Sequence, residues 1–343
     1  MIAVGLWVLG CAPFGRGGVI WSLQILRFIA ALVVVYLHVA QTALTVTGSV
    51  GIIPLEFAVM GCAGVDIFFV LPGVVIAKTV PGMTSAQFAW QRIRRILPIY
   101  MVACVPAMFQ AAKIGFGWRG VLATLLLWPA TDVMTPPLLG VAWTLSFEML
   151  FYLSTALVLY DRRCLYVLGV LYTMALSLRP FGPVFQFFGN PLVIEFLFGV
   201  GIASVPSWRG GILCIPLGFA ALSLAGLLHI PPQGGMLESL TGQENIYRVF
   251  VWGLPSALIV YGFMQIRARE SVWTRLGDAS YSIYLFHGFA VGLLLVLWSI
   301  FPIHPDLIII IGMIVAVLLS WRIHVLVEVP ILEAIPKRFK DGH

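Results

Sequence analysis

The stretch LQILRFIAALVVVYLHVAQ, residues 23–41, decides the fold class of this chain. Its Leu, Ile, Val, Ala and Phe residues are typical of a helix that dissolves in lipid, yet it also contains Arg27 and His38. A helix that crosses a bilayer needs about 20 predominantly apolar residues. Ionisable side chains at membrane depth are costly and usually face a bundle interior or a water-filled cavity. The stretch therefore predicts a spanning helix with two polar residues that serve a function.

The composition extends this prediction to the whole chain. Its 343 residues are 61% apolar and 10% charged, with a mean hydropathy of +1.02, whereas soluble chains are roughly 45–50% apolar. We expect an all-α integral membrane protein of about ten transmembrane helices, with no soluble domain. A single transmembrane domain is predicted over 19–332, between an N-terminal extension, 1–18, and a cytoplasmic tail, 333–343. The predicted spans are 20–46, 58–80, 97–114, 138–160, 164–178, 190–206, 212–228, 246–266, 279–300 and 307–329.

The segment 119–133 is apolar for only about ten residues, which is too short for an ordinary span, and we interpret it as re-entrant or interfacial. Ten spans then place both termini in the cytosol, with most basic loop residues on that side, as the positive-inside rule requires. The net charge of +6 is therefore a topology signal of a multi-pass inner-membrane protein and gives no reason to expect nucleic acid. The predicted cytosolic set is Arg92, Arg94, Arg95, Arg162, Arg163, Arg209, Arg267, Arg269, Arg275, Lys337, Arg338 and Lys340, and the predicted outer set is Lys113, Arg119, Arg179 and Arg248.

The five cysteines form no C-x-x-C pair, and three of them, Cys62, Cys104 and Cys214, fall in or beside predicted spans. Such spacing is typical neither of a metal site nor of a disulfide framework. We predict no metal, no disulfide and no permanently bound cofactor.

Arg27 and His38 are eleven residues apart, which returns them to within about 20° of one helical face and separates them by about 16 Å along the axis. Asp66, on the next helix of the hairpin, is predicted at the same depth as His38. A carboxylate beside an imidazole fixes its tautomer and favours its action as a general base. The pair predicts a catalytic site, with a structural hydrogen bond between two helices as the alternative.

Arg92 and Arg95 lie three residues apart in AWQRIRRILPIY, residues 89–100, just before a predicted span. Guanidinium groups bind phosphate in a bidentate manner, so this pair predicts a cytosolic phosphate site. Basic residues at a cytosolic helix end are also common topology determinants and snorkelling anchors. Both interpretations stay open from the sequence.

Two later segments carry further polar residues at membrane depth. In GVAWTLSFEMLFYL, residues 140–153, Glu148 shares a helical face with Thr144 and Tyr152 and could orient a sugar hydroxyl or the imidazole. In LGDASYSIYLFHGF, residues 276–289, Asp278 is the expected N-cap. Behind it Ser280, Tyr284 and His287 share one face. We predict Tyr152, Tyr284 and His287 as substrate contacts, with helix capping and interhelical hydrogen bonds as the alternative.

Taken together, these blocks resemble the membrane-bound acyltransferase-3 family, especially its exopolysaccharide acetyltransferase branch. The resemblance covers roughly residues 22–332 and rests on the order of the blocks as well as their content. These are LQILRFIAALVVVYLHV, GVDIFFVLPGVVI, RIRRILPIY, AWTLSFEMLFYL, NPLVIEFLFGVGIA, GLPSALIVYG, GDASYSIYLFHGF and a last span ending in VEVPI.

The resemblance implies an integral-membrane enzyme that moves an acyl group, commonly acetyl from acetyl-CoA, onto a carbohydrate hydroxyl. The family's first-helix Arg and His match Arg27 and His38, and its R-x-x-R pair matches Arg92 and Arg95. One departure is Pro72, which stands where the family usually has Ser before Gly. Proline inside a helix removes a backbone donor and bends the helix, so the inner end of the second span could be reshaped and activity impaired.

The mechanism expected from these residues is direct acyl transfer. Arg92 and Arg95 bind the phosphates of acyl-CoA and Arg27 lies along the path of its pantetheine arm. His38, oriented by Asp66, deprotonates the acceptor hydroxyl, and Glu148 assists. The expected partners are acyl-CoA, a carbohydrate or lipid-linked oligosaccharide acceptor, membrane lipids and polysaccharide-assembly proteins.

Two other function classes fit part of the same pattern. Intramembrane Arg, His, Asp and Glu also mark the pathways of transporters and flippases, but no convincing internal repeat is visible. A non-catalytic subunit of a polysaccharide assembly complex is the second alternative, which Pro72 favours. Turnover of acetyl-CoA by the purified protein distinguishes the three.

Overall fold

The computed structural model describes residues 20–113, 117–230, 235–243, 245–300 and 303–336. The predicted N-terminal extension, 1–18, and the end of the predicted tail, 337–343, lie outside these ranges, and residues 333–334 of the tail end the last helix. The all-α prediction is confirmed, because no β-strand occurs in the described ranges. The helices are α1 Trp21–Thr47, α2 Leu55–Val59, α3 Ala63–Thr79, α4 Ser85–Lys113, α5 Trp118–Leu125, α6 Trp143–Tyr160, α7 Cys164–Ser177, α8 Pro183–Phe188, α9 Val193–Ala203, α10 Cys214–Leu227, α11 Met236–Thr241, α12 Asn245–Arg248, α13 Leu254–Met264, α14 Val272–Asp278, α15 Ser280–Ile300, α16 Pro305–Ile323 and α17 Val329–Ala334.

The membrane spans follow from the length and hydropathy of these helices. Within the described ranges, eight continuous helical segments are long and apolar enough to cross a bilayer. They are Trp21–Thr47, Phe57–Thr79, Gly140–Tyr160, Pro183–Ala203, Arg209–Leu227, Ile246–Met264, Ser280–Ile300 and Pro305–Ala334.

The other two of the ten predicted spans are helical but are not among these eight segments. Predicted span 97–114 lies in α4, which is helical over Ser85–Lys113. Predicted span 164–178 matches α7, which is apolar but has only 14 residues. We call the end of the bundle at which α1 begins the first face and the opposite end the second face.

Helix α1 lies at the centre of the bundle because its sequence is apolar on nearly every side. It packs against α3, α14, α15 and α16, and its buried residues join two of the hydrophobic clusters of the core. It ends at Gly48, whose φ of 74° is the left-handed conformation common just after a helix. The central helix therefore carries Arg27 and His38 into the interior of the protein.

Helices α3 and α9 cross more closely than any side chain would allow. A Cβ atom on Gly73 would lie 2.9 Å from the Cα of Gly199 and would also overlap the backbone carbonyl of Phe196. Small residues let membrane helices approach in this way. Pro72 precedes this crossing within α3, which stays helical from Ala63 to Thr79, so the helix reshaping expected from Pro72 does not interrupt it.

The segment 119–133 contains α5, whose eight residues would extend only about 12 Å, and it does not span. Arg119 and Asp132 form an exposed ion pair in it. The hydrogen bond from Arg119 lowers the pKa of Asp132 to about 2.

Two of the spans contain a turn of π-helix, Val249–Gly253 after α12 and His324–Glu328 after α16. Such bulges occur often at functional sites. A buried ionisable residue adjoins each bulge: Arg248 directly precedes the first, and Glu328 ends the second. The bulges therefore mark where charged side chains enter the interior.

Candidate active site

A small cavity of about 90 Å³ lies between five helices, α1, α3, α4, α6 and α15. We call it the arginine cavity. Liquid water takes about 30 Å³ per molecule, so this volume corresponds to a few waters. The cavity gathers predicted site residues from four separate parts of the chain: Arg27, Arg92, Arg95, Glu148, Tyr152 and Tyr284 all line it, and so does Pro72.

The charges around this cavity do not balance. Three guanidinium groups, those of Arg27, Arg92 and Arg95, line it together with a single carboxylate, Glu148. Arg92 is only 6% exposed, and its guanidinium carbon lies 5.3 Å from the ring centre of Phe88 and 5.5 Å from that of Tyr152. The guanidinium groups outnumber the carboxylate, and aromatic rings stabilise that of Arg92, so the site favours an anionic ligand.

The carboxylate is held within its own helix. The hydroxyl of Tyr152, one turn further along α6, donates a hydrogen bond to Oε1 of Glu148. One turn earlier, Oγ1 of Thr144 lies 2.9 Å from the hydroxyl of Tyr284 on α15. The predicted shared face of Thr144, Glu148 and Tyr152 is confirmed, and it links α6 to α15 at the cavity wall.

His38 does not line the cavity but lies beside His287, with 4.9 Å between the two ring centres. Nδ1 of His38 is 2.8 Å from the carbonyl oxygen of Val34. Because a carbonyl only accepts, Nδ1 carries the proton and Nε2 of the neutral ring keeps its lone pair. This tautomer leaves Nε2 of His38 free to accept a proton, as a general base must.

His287 has the same backbone arrangement, with Nδ1 3.1 Å from the carbonyl oxygen of Ile283. It is fully buried, and among the described residues its Nε2 has no hydrogen-bond partner. Its ring centre is 6.2 Å from that of Tyr284, which lines the arginine cavity. Tyr284 thus stands between the histidine pair and the cavity.

The predicted pairing of Asp66 with His38 is wrong. Asp66 is fully buried and accepts two hydrogen bonds from Arg248, from Nε to Oδ1 at 2.9 Å and from Nη2 to Oδ2 at 3.1 Å. Counting residues down a hairpin gives depth but not the direction in which a side chain points. The carboxylate faces α12, where a guanidinium satisfies it in bidentate geometry.

Arg248 is the residue that the sequence analysis misplaced. It was expected in an outer loop, but it ends α12 and is only 4% exposed. The signal was present, because the apolar run VFVWGLPSALIVYG follows it directly and an arginine joined to such a run needs a buried partner. Arg248 therefore takes Asp66 out of the catalytic set.

A second polar network lies next to the cavity, on the π-helical turn of the last span. Oγ of Ser282 donates to Glu328 at 2.6 Å, and Nδ1 of His324 lies 2.8 Å from the same carboxylate oxygen. The preceding residue, Tyr281, lines the cavity. The network fixes α15 against the last span and so fixes the wall that carries Tyr281 and Tyr284.

Asp278 is not the N-cap expected for its span, because it is the last residue of α14, and α15 begins at Ser280. Burial raises the pKa of its carboxyl, and the positive charges of Arg27 and Arg95 oppose that rise. Asp278 is therefore electrostatically linked to the cavity without lining it.

The family described as "Acyltransferase domain" matches residues 20–325. The chain is similar to the "Exopolysaccharide production protein ExoZ" of Rhizobium meliloti (strain 1021), at 33% identity over 258 residues, which is 68% of this chain and 77% of that protein. It is also similar to the "Acyltransferase MdmB" of Streptomyces mycarofaciens, at 31% identity over 144 residues, which is 39% of this chain and 37% of that protein. No solved structure matches.

Proposed function

Because the chain belongs to the acyltransferase-3 family, we propose that this multi-pass membrane acyltransferase moves an acetyl or other short acyl group from acyl-CoA to a hydroxyl of a surface or exopolysaccharide carbohydrate. The acceptor class follows from the similarity to a protein named for exopolysaccharide production. The proposed location is the inner membrane, with both termini in the cytosol.

The observation that carries the proposal is the arginine cavity. Three guanidinium groups and one carboxylate create a site for a polyanion, and acyl-CoA carries several phosphate charges. Arginine binds phosphate through paired N–H groups, which a point charge such as lysine does not match. Arg92 and Arg95 lie in the first half of α4, which begins at the first face. A donor from the cytosol would arrive at that face.

The size of the cavity limits which part of the donor it holds. A typical ligand pocket has a volume of roughly 300–1,000 Å³, well above the 90 Å³ found here. Arg92 and Arg95, which lie in the first-face half of α4, therefore bind the phosphates, and the side chains around the cavity must move to admit the thioester. We expect the guanidinium of Arg92 and the ring of Tyr152, which are in contact, to separate when the donor binds.

The chemistry proposed is a single displacement. Nε2 of His38 takes the proton of the acceptor hydroxyl, and the oxygen attacks the thioester carbonyl carbon. The C–S bond then breaks and leaves the new ester, and the departing CoA thiolate takes the proton from His38. Holding both reactants in one site contributes through proximity and orientation.

The other residues serve this step by position. With Asp66 bound to Arg248, His287 lies next to His38, and its free Nε2 accepts a hydrogen bond from a second hydroxyl of the carbohydrate, not the one that attacks. Glu148, Tyr152 and Tyr284 contact the acceptor or the acyl end between the histidine pair and the arginines. Arg27 lies on the path of the pantetheine arm.

The test is acyl transfer by the purified protein. We expect release of CoA thiol from acetyl-CoA in the presence of polysaccharide acceptor, and His38→Gln lowers kcat by about 10²- to 10⁴-fold, as for loss of a general base. His304→Gln is the matched control, because His304 is exposed, caps α16 and does not line the arginine cavity.

Three outcomes would contradict the proposal. A folded His38→Gln protein with normal turnover would remove His38 from the reaction. If no preparation of the protein consumes acetyl-CoA, the result would favour a non-catalytic subunit. Movement of a labelled glycolipid across vesicles without acylation would favour a flippase. Proton NMR of the O-acetyl content of surface polysaccharide, with and without the gene, identifies the acceptor.

A further inference from the structure

A second and much larger cavity, of about 1170 Å³, lies on the other side of α3 and α6 from the arginine cavity. We call it the α7 cleft, because α7 closes it on one side while α3, α6, α8 and α9 form most of the rest of its wall. Its lining consists mainly of Leu, Val, Ala and Phe side chains. The cleft is therefore a hydrocarbon-like space inside a membrane protein.

The cleft exists because α7 is attached at its two ends, to α6 by the turn 161–163 and to the bundle near Ala175. At the far end, Gly189 packs so closely that a Cβ there would lie 2.5 Å from the carbonyl carbon of Ala175. The hydroxyl of Tyr172 also donates to the carbonyl of Asn190 at 3.3 Å. Among the 14 residues of α7, all of them described, Ala175 is the one that is buried. Between these attachments α7 stands away from α6.

The hydroxyl groups on the wall of the cleft are already satisfied. Ser154 and Thr155 donate to the carbonyl oxygens one turn earlier in α6, at 2.8 and 2.9 Å. Water needs two to four polar partners to occupy a cavity, and apart from Arg162 at one end the polar side chains of the lining are Ser154, Thr155 and Tyr172, which already donate to carbonyl oxygens. In contrast, four leucine and methionine side chains on the wall are 40–59% exposed: Leu153, Leu157, Leu171 and Met174. The cleft suits an apolar chain.

One end of the cleft carries a positive charge. Arg162 lies in the turn between α6 and α7 at the first face, and it is the one cation among the lining residues. Pro81 and Gly82, from the turn between α3 and α4, line the same end. The opposite end is closed by Val184, Phe185 and Phe188. An apolar channel with a single cation at its mouth matches a lipid with a phosphate headgroup.

We propose that the α7 cleft is a binding site for an anionic phospholipid of the first-face leaflet, with an acyl chain between α6 and α7 and its phosphate at Arg162. Helix α7 extends over about 21 Å, which exceeds the roughly 15 Å of hydrocarbon in one leaflet. The positive charge at the mouth selects the headgroup, and the exposed leucines contribute by burial against the chain.

The same geometry argues against a lipid-linked acceptor as the occupant. His38 lies nearer the second-face end of α1, so an acceptor would approach from that face and its lipid phosphate would lie there. The lining residues at that end of the cleft are Val184, Phe185 and Phe188, and none of them is a cation. The occupant is therefore a bilayer lipid that fills the space behind α6, and the proposal does not depend on the acyl acceptor.

The experiment is native mass spectrometry of the full chain, purified in detergent, stripped of lipid and titrated separately with dioleoyl phosphatidylglycerol, dioleoyl phosphatidylethanolamine and undecaprenyl phosphate. We expect one phosphatidylglycerol to bind more tightly than either of the others. Arg162→Gln weakens phosphatidylglycerol binding about fivefold, the effect of one basic residue on an anionic lipid, and leaves phosphatidylethanolamine unchanged. Arg163→Gln is its control, because the neighbouring Arg163 does not line the cleft.

A second pair of variants tests the cleft itself. Leu171→Trp fills the cleft and reduces binding of both phospholipids, whereas Val170→Trp, on the outer side of α7, leaves binding unchanged. Leu171 and Val170 are 53% and 58% exposed, so both proteins should fold, which thermal unfolding checks. Equal binding by these two variants, or equal binding by the Arg162 and Arg163 variants, would overturn the proposal. Tighter binding of undecaprenyl phosphate would assign the cleft to the carrier lipid.

Discussion

Arg248 binds Asp66 through two parallel hydrogen bonds, of 2.9 and 3.1 Å, between α12 and α3. Both side chains are at most 5% exposed, so water cannot solvate one charge when the other is removed. Burying two charges is costly, and good geometry with paired hydrogen bonds offsets that cost. The pair therefore fixes two helices and leaves His38 to act with other neighbours.

The first prediction concerns this ion pair. Asp66→Asn removes the carboxylate that holds Arg248 by two hydrogen bonds, leaves only the carboxyl of Glu195 near that charge among the described residues, and should lower the free energy of unfolding by about 3–5 kcal/mol. The double variant Asp66→Asn, Arg248→Gln removes both charges and should recover most of that loss. Unfolding in detergent, followed by thermal or denaturant titration, measures both.

Activity distinguishes the pair from a catalytic Asp66. A folded double variant should retain kcat within a few fold, because neither residue contacts His38. A double variant that is stable but inactive would show instead that Asp66 serves the histidine.

The second prediction concerns the donor. Arg95→Gln removes one guanidinium from the arginine cavity and should raise the KM for acyl-CoA by about 10- to 100-fold, the value of a charged hydrogen bond, with little change in kcat. Arg94→Gln is the matched control, because Arg94 does not line the cavity and donates to the carbonyl of Leu332. Steady-state kinetics with both variants gives the comparison, and equal effects would disconnect Arg95 from the donor.

The third prediction concerns Glu148, the one carboxylate among the described residues that line the cavity. Glu148→Gln keeps the shape of the side chain and an acceptor for Tyr152, but it makes the cavity more positive. The KM for the polyanionic donor should fall about fivefold by reduced repulsion, while kcat falls about tenfold as the carboxylate loses its hydrogen bond to the acceptor. A rise in KM would mean that Glu148 serves binding of the donor.

The fourth prediction concerns the crossing of α3 and α9. Gly73→Ala forces a methyl group against the backbone of α9 and should destabilise the protein by about 1–3 kcal/mol. Gly201→Ala, on the same α9, meets no atom within 4 Å and should be neutral or slightly stabilising. Thermal unfolding compares the two. Equal stability would show that the helices separate easily at this crossing.

Several features of the site could be predicted from the sequence because they are local to one helix. The shared face of Thr144, Glu148 and Tyr152 follows from helical periodicity, and so does the inward direction of Arg27 and His38 on α1. Family resemblance supplied Arg92 and Arg95, which the chain alone left ambiguous between a phosphate site and a topology anchor. The structure gathers these residues around one cavity, but their roles stay a proposal.

The features that were missed depend on rotation between helices. Matched depth of His38 and Asp66 was taken as contact, although the direction of each side chain about its helix axis is set by packing. Arg248 was placed on the outer side by the count of basic residues, and only the neighbouring α3 shows that Asp66 is its partner. The contact of His38 with His287 joins residues 249 positions apart, and no periodicity relates them.

The sequence by itself determined that this protein is an all-helical membrane protein with polar residues at membrane depth, because apolar length and backbone hydrogen bonding leave few other structures in a bilayer. The tertiary structure decided which of those polar residues meet. It placed Asp66 with Arg248, His38 with His287, and three arginines with Glu148. The physical reason is that each buried charge takes whichever partner packing brings into hydrogen-bonding range, and packing is a property of the whole bundle.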